Sequence, residues 1–172
     1  MNVVNSHSYL GVTVTSDLRC HEHVNNISVK ATKTLNYIRR NVHCCAPDTK
    51  ATAYISLVRP HLEYAAAAWD PYLVGDCRQL EKVQRRCVTR DYRSTTLVSS
   101  LISQLGWQTL SDRRRNSRLS LMYKSLHGLS GISTSPFHRS SKITRSADDD
   151  TFCVLSSRID PYKLLLLSSY HC

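Results

Sequence analysis

Val24, Ile27, Ala31, Leu35, Ile38 and Val42 follow one another at steps of three, four, four, three and four residues. That rhythm places six apolar side chains on one face of an α-helix and on no single face of a strand. A long amphipathic helix starting near Cys20 must therefore find a partner to cover its stripe. "CAPD" ends it and opens the next helix, with Pro47 suited to a first helical turn. Residues 51–69 read as helix interrupted at Pro60, where the missing N–H should bend the axis. "DPYLVGD" is a loop, and Asp76 can cap a third helix whose buried edge is Leu80, Val83 and Cys87. Leu97, Leu101 and Leu105 share a face of a short apolar piece. Ser111 or Asp112 caps a last helix that runs to about His127 and stops at Gly128. Its expected core side is Leu119, Met122, Tyr123 and Leu126. Only "YLGVTV", Tyr9 to Val14, is β-rich. The fold class expected is mainly α, a small bundle of about four to five helices preceded by one or two short β-strands. After Gly131 the periodicity dissolves into Ser, Thr, Arg and Asp, which predicts a disordered C-terminal tail.

Charge narrows the partners. The 172 residues carry 23 Lys and Arg against 13 Asp and Glu, a net charge of +10. Residues 1–130 hold 18 of the basic and nine of the acidic side chains, so the excess lies in the helical part. Such an excess suits a polyanion, most simply nucleic acid. The seven cysteines include no C-x-x-C pair, His61-Leu62-Glu63 lacks the P-C-x-x-C of a zinc deaminase, and His21-Glu22-His23 is too tight for H-E-x-x-H. No metal and no cofactor is expected. Met1 to Leu10 has neither the charged start nor the apolar core of a signal peptide, and no apolar run nears the roughly 20 residues of a membrane span. The expectation is an intracellular, reduced chain, in nucleus or cytoplasm, with no membrane partner and no small-molecule substrate.

Four strings together resemble one family. "YLGVTVTSDLRCHEHVNNISVKATKTLNYIRRN", "LVRPHLEYAAAAWDP", "QLEKVQRRC" and "SQLGWQTLSDRRRNSRLSLMYKSLHG" are similar, in order, to the reverse transcriptases of non-LTR (LINE-like) retrotransposons. The similarity covers Tyr9 to about Gly131, the thumb-side region that follows the catalytic palm, with a weaker match in "SSRIDPYK" up to Lys163. It implies a helical region that grips a template–primer duplex through its backbone. The domains it implies are a strand remnant of the palm edge over 1–18, a thumb-like domain over 19–130 and a low-order tail over 131–172. Two departures stand out. Cys20 occupies the aromatic position of L-x-W-x-x-H-[IV], and only Cys87 separates Arg86 from Val88 where the family has about four residues. Losing a buried aromatic typically costs ~3–5 kcal/mol, so a weakened fold is expected.

The resemblance also decides how to read "RSADDDTFCV". In the family the catalytic aspartate pair lies upstream of Y-L-G, whereas Asp148, Asp149 and Asp150 come after the thumb-like region. Two-metal nucleotidyl transfer needs a further carboxylate on a separate strand, and no upstream palm supplies it. The triplet reads as a solvated acidic turn. No catalytic residue is assigned, and the implied function is a truncated fragment of an RNA-directed DNA polymerase that is not itself an enzyme. The alternatives from the residues alone are a stand-alone basic RNA- or DNA-binding module and a helical protein-interaction module. From Tyr162 the family continues Y-K-Y-S-F-F-P-R-T-I, where this chain has Tyr162-Lys163 and then Leu164. Leu164 to Cys172 can be encoded so that a one-base shift reads S-F-F-F-P-R-T-I, so the tail is expected to be out of frame there.

The candidate phosphate contacts are Lys30, Lys33, Arg39 and Arg40 on the first helix and Arg85 and Arg86 on the third. Arg113, Arg114 and Arg118 on the last complete the set. Arg forks onto phosphate oxygens, and positive charge at a helix N-terminus opposes the macrodipole, so the Arg113–Arg118 cluster calls for a reason. Solvated helix surface is the plain alternative for every one of them. His61, Glu63 and Trp69 are expected to pack and hydrogen-bond around the Pro60 kink.

Overall fold

The computed structural model describes residues 5–88 and 106–132. The chain divides into two compact units, Met1–Ser117 and Arg118–Cys172. The first opens on an antiparallel hairpin, β1 (Ser6–Tyr9) and β2 (Val12–Thr15), with Ser6 opposite Thr15 and Tyr9 opposite Val12. The single β-rich run of the sequence is thus folded back on itself. Leu10 and Gly11 have φ of +46° and +81°. That pair of positive angles is what a two-residue turn needs to match strand twist, and glycine adopts it without strain.

Helix α1 (His21–Asn41) is the axis of the unit. Its stripe lies where the periodicity puts it: Val24, Ile27, Ala31, Leu35 and Ile38 are buried, and Val42 packs at the edge. Cys20, at the N-cap, makes no side-chain capping bond, and it also packs against the core. The stripe meets Tyr54, Val58, Leu62, Ala66 and Trp69 on one side and Leu80 and Val83 on another, with Leu110 closing the core.

The partner for the first side is one interrupted helical path. Helix α2 (Pro47–Ala53) has Pro47 in its first turn and runs into a π-helical segment, Tyr54–Val58. Helix α3 (Arg59–Glu63) follows directly. The Arg59 N–H reaches back five residues to the Tyr54 carbonyl. Pro60 explains the widening: it offers no N–H, and its ring would crowd the carbonyl four residues earlier. A second break separates α3 from α4 (Ala66–Trp69) at Tyr64 and Ala65, the latter in the left-handed region at φ +51°. Its cause is tertiary. The Tyr64 hydroxyl donates to the Leu10 carbonyl at 3.1 Å, and the Trp69 indole N–H donates to the Tyr64 carbonyl at 2.7 Å. A side chain in that backbone region is strained by ~1–2 kcal/mol, and glycine gives part of this back as entropy. Ala65→Gly should therefore raise stability by roughly 0.5–1 kcal/mol, read as a shift of the denaturant midpoint; an unchanged or lower midpoint would place the strain elsewhere.

Helix α5 (Val74–Val88) starts within the segment read from sequence as loop. Asp76 lies inside its first turn rather than at the cap, 3 % exposed, with its carboxylate 2.7 Å from His21 Nδ1. The expected edge is there: Leu80 and Val83 are buried and Cys87 packs against the core. Helices α1 and α5 run in the same direction, since His21 meets Asp76, Asn25 meets Gln79, and Arg39 meets the Arg86 carbonyl.

Helix α6 (Leu110–Leu126) begins in the first unit and ends in the second. Its cap is Thr109, not Ser111 or Asp112. The Thr109 hydroxyl accepts the Asp112 N–H at 3.0 Å, the bond of an N-cap, and donates to the Asp112 carboxylate at 2.6 Å. In the second unit Gly128, at φ +67°, stops the helix as the sequence predicts. The Leu129 and Gly128 N–H groups return to the carbonyls of Lys124 and Ser125, which closes a Schellman motif. The expected core side is corrected in part: Leu119 and Tyr123 are 43 % and 59 % exposed, while Met122 and Leu126 are half-buried. The face that carries Leu110 and Arg114 is the buried one in the first unit, and Leu119 and Tyr123 do not continue it at helical spacing. The apolar piece with Leu97, Leu101 and Leu105, the Asp148–Asp150 triplet and the expected disordered tail lie outside the described residues. No helix among the described residues is long and apolar enough to cross a membrane.

Candidate nucleic-acid interface

Along α5, Arg78, Lys82 and Arg86 recur every four residues, about 6 Å apart along the axis. They line one wall of an open groove whose other wall is α1, with Ser28, Val29, Thr32 and Lys33. The groove has a volume of about 590 Å³. Four of its lining side chains are cationic and none is acidic. Arg78, Lys82 and Lys33 are exposed and Arg86 is half-buried. Most acidic side chains of the unit are occupied elsewhere: Glu63 and Asp70 by arginines of α6, Asp76 by His21, Glu81 by the Ser111 N–H, Asp17 by Arg19. The walls of the groove thus supply no carboxylate to offset Lys33, Arg78 and Lys82.

The sequence candidates scatter around this groove. Lys33 and Arg86 line it. Arg40 is exposed on the α1 face that continues from Lys33, two turns further on, whereas Lys30 and Arg85 are exposed on neighbouring faces. Arg39 is half-buried and donates to the Arg86 carbonyl, which satisfies one of the last carbonyls of α5. Arg78 and Lys82 were not among the candidates; their four-residue spacing with Arg86, opposite the Leu80–Val83–Cys87 edge, is the signal that marks them.

The arginines at the start of α6 have a different role, and Arg114 is a correction. Its side chain is 1 % exposed and its Nε donates to the Asp70 carboxylate at 2.7 Å, so no phosphate reaches it. Arg113 grips Glu63 through two nitrogens, the outer one at 3.0 Å, and Arg59 lies 3.6 Å from the same carboxylate. The charge that seemed to oppose the helix dipole ties α6 to the α3–α4 corner. Arg118 is half-buried in the second unit.

Around Pro60, Glu63 and Trp69 make the bonds described, while His61 is exposed. His23 joins the hairpin to the helices: its Nδ1 accepts the Thr13 N–H at 3.1 Å, so the ring proton resides on Nε2. Its ring meets Trp69 edge-on at 4.8 Å. Burial, then Lys30, lowers the His23 pKa below its ordinary 6.5. An imidazole held neutral gives its stability in full above that ordinary value and loses it as the pH falls through it, until the lowered native value is passed. Urea midpoints should therefore drop between about pH 7 and 5, and His23→Gln should flatten the drop; an equal drop in the variant would assign it to other groups.

Reactive chemistry is not evident in the described residues. The Cys20 and Cys87 thiols are pushed up to about 11 by burial, away from the thiolate that nucleophilic attack requires. No group of three metal-binding side chains occurs among the described residues. Comparison with protein-family models, with curated proteins and with solved structures gave no match.

Proposed function

We propose that this chain is a nucleic-acid-holding piece of a retrotransposon reverse transcriptase. In this reading it is the thumb-like region, gripping an RNA–DNA or DNA duplex through backbone phosphates. The observation that carries the reading is the groove between α1 and α5, where Arg78, Lys82 and Arg86 face Lys33 with no carboxylate in the lining. Cations in such a row position a phosphate backbone and read no sequence. Binding should be weak and indifferent to base order.

The test is a titration of the whole chain against a mixed-sequence duplex over a range of salt. Each phosphate neutralised on B-DNA contributes about −0.9 to the slope of log K against log salt, so a slope of roughly −2 to −4 is expected. Affinity that does not change with salt contradicts the proposal and favours a protein partner. In the same preparation, primed RNA template with nucleotides and Mg²⁺ should give no primer extension. Extension that disappears in an Asp148→Ala/Asp149→Ala variant contradicts the assignment of no catalytic residue.

A further inference from the structure

Towards the C-terminal end of α1 lies a second, smaller cavity of about 290 Å³, which shares no residue with the groove. We propose that it binds a small amphipathic anion, a single anionic head on an apolar body. Leu35 and Ile38 of α1, Val42 just after it and Val88 at the end of α5 supply an apolar wall. Arg39, His43 and Lys50 make its polar side, and no carboxylate lines it.

Two polar groups beside this cavity lack partners among the described residues. Tyr54, 1 % exposed and part of the wall, has a buried hydroxyl with no hydrogen bond. A buried hydroxyl without a partner is costly, and native folds rarely keep one. Its ring is fixed by stacking on Trp107, with centroids 4.9 Å apart and planes at 17°, so the hydroxyl is not free to swing out to water. Lys50, half-buried, makes no ion pair among the described residues. The other two cationic groups are already engaged: Arg39 donates to the Arg86 carbonyl, and His43 Nδ1 lies 3.0 Å from the Arg40 carbonyl. That leaves room for one head group, met by the Lys50 ammonium, above an apolar floor for its body. Tyr54 also opens the π-helical segment, a local widening of the kind that often shapes a binding site. Cys87 forms part of the wall as a protonated thiol, so the association is non-covalent.

The experiment is isothermal titration of the whole chain with octanoate, octyl phosphate and octanol. Saturable binding of either anion, with octanol about tenfold weaker or worse, is expected from one charge-assisted contact. The tighter of the two anions identifies the head. Lys50→Gln should weaken the anion about tenfold and leave octanol unchanged. Tyr54→Phe should leave the fold at least as stable, because it deletes a buried hydroxyl that has no partner among the described residues. No saturable binding of either anion at millimolar concentration overturns the proposal, as does undiminished binding by a folded Lys50→Gln variant. Duplex binding, read separately, is unaffected in either case.

Discussion

Arg114→Met should destabilise the first unit by about 3–5 kcal/mol, an effect as large as that of deleting a core aromatic. Arg114 and Asp70 are 1 % and 12 % exposed at the side chain, and their 2.7 Å contact joins α6 to the end of α4. Removing the guanidinium takes the opposite charge away from a desolvated carboxylate, and the penalty comes from that buried charge more than from the lost attraction. Asp70→Asn in the same background should therefore recover much of the loss, because a neutral amide tolerates burial better. Equilibrium urea unfolding of the two single variants and the double variant gives the coupling. If Arg114→Met costs less than about 1 kcal/mol, the value typical of an exposed pair, the contact is not buried in solution and Arg114 returns to the list of phosphate ligands.

Trp69→Ala should cost about 3–5 kcal/mol. The indole is 3 % exposed, packs edge-on against His23 and fixes the Tyr64 carbonyl that the broken helix leaves without a backbone partner. Trp69→Phe separates the two contributions. It keeps most of the ring and deletes only the donor, so about 1 kcal/mol of loss is expected, the usual net value of one hydrogen bond. A loss in Trp69→Phe equal to that in Trp69→Ala would mean that the hydrogen bond, not the packing, holds the corner. Because His23 touches this ring, the acid-dependent part of the stability should also shrink in Trp69→Ala.

How much of this was legible in the sequence depended on how local the cause was. The α1 stripe was readable in full, because a helix with one covered face writes its period into its own residues. Pro47 and Gly128 acted where they stand, and their consequences were foreseen; Pro60 was read as a bend, and the structure has a π-helical widening ahead of it. The hairpin turn was hidden because Leu10 and Gly11 sit inside a continuous β-rich run. The break at Tyr64–Ala65 has no local signal at all: a carbonyl of the hairpin and the Trp69 indole impose it. Arg113 and Arg114 illustrate the same limit at the candidate site. A guanidinium fits carboxylate and phosphate equally well, and the carboxylates that claim these two lie 50 and 44 residues away. Arg78 and Lys82 are the opposite case, since their spacing with Arg86 was in plain view and only its pairing with Lys33 needed the fold.

The central claim is that the α1–α5 groove, and not the arginines of α6, holds the phosphate backbone. The most direct measurement compares the salt dependence of duplex binding in two triple variants. Lys33→Gln/Arg78→Gln/Lys82→Gln changes exposed side chains and should leave the fold intact while reducing the slope of log K against log salt by roughly two to three. Arg113→Gln/Arg114→Gln/Arg118→Gln should lower stability and, where the protein remains folded, leave the slope near that of the parent chain. A slope unchanged by the groove variant and flattened by the α6 variant would contradict the account.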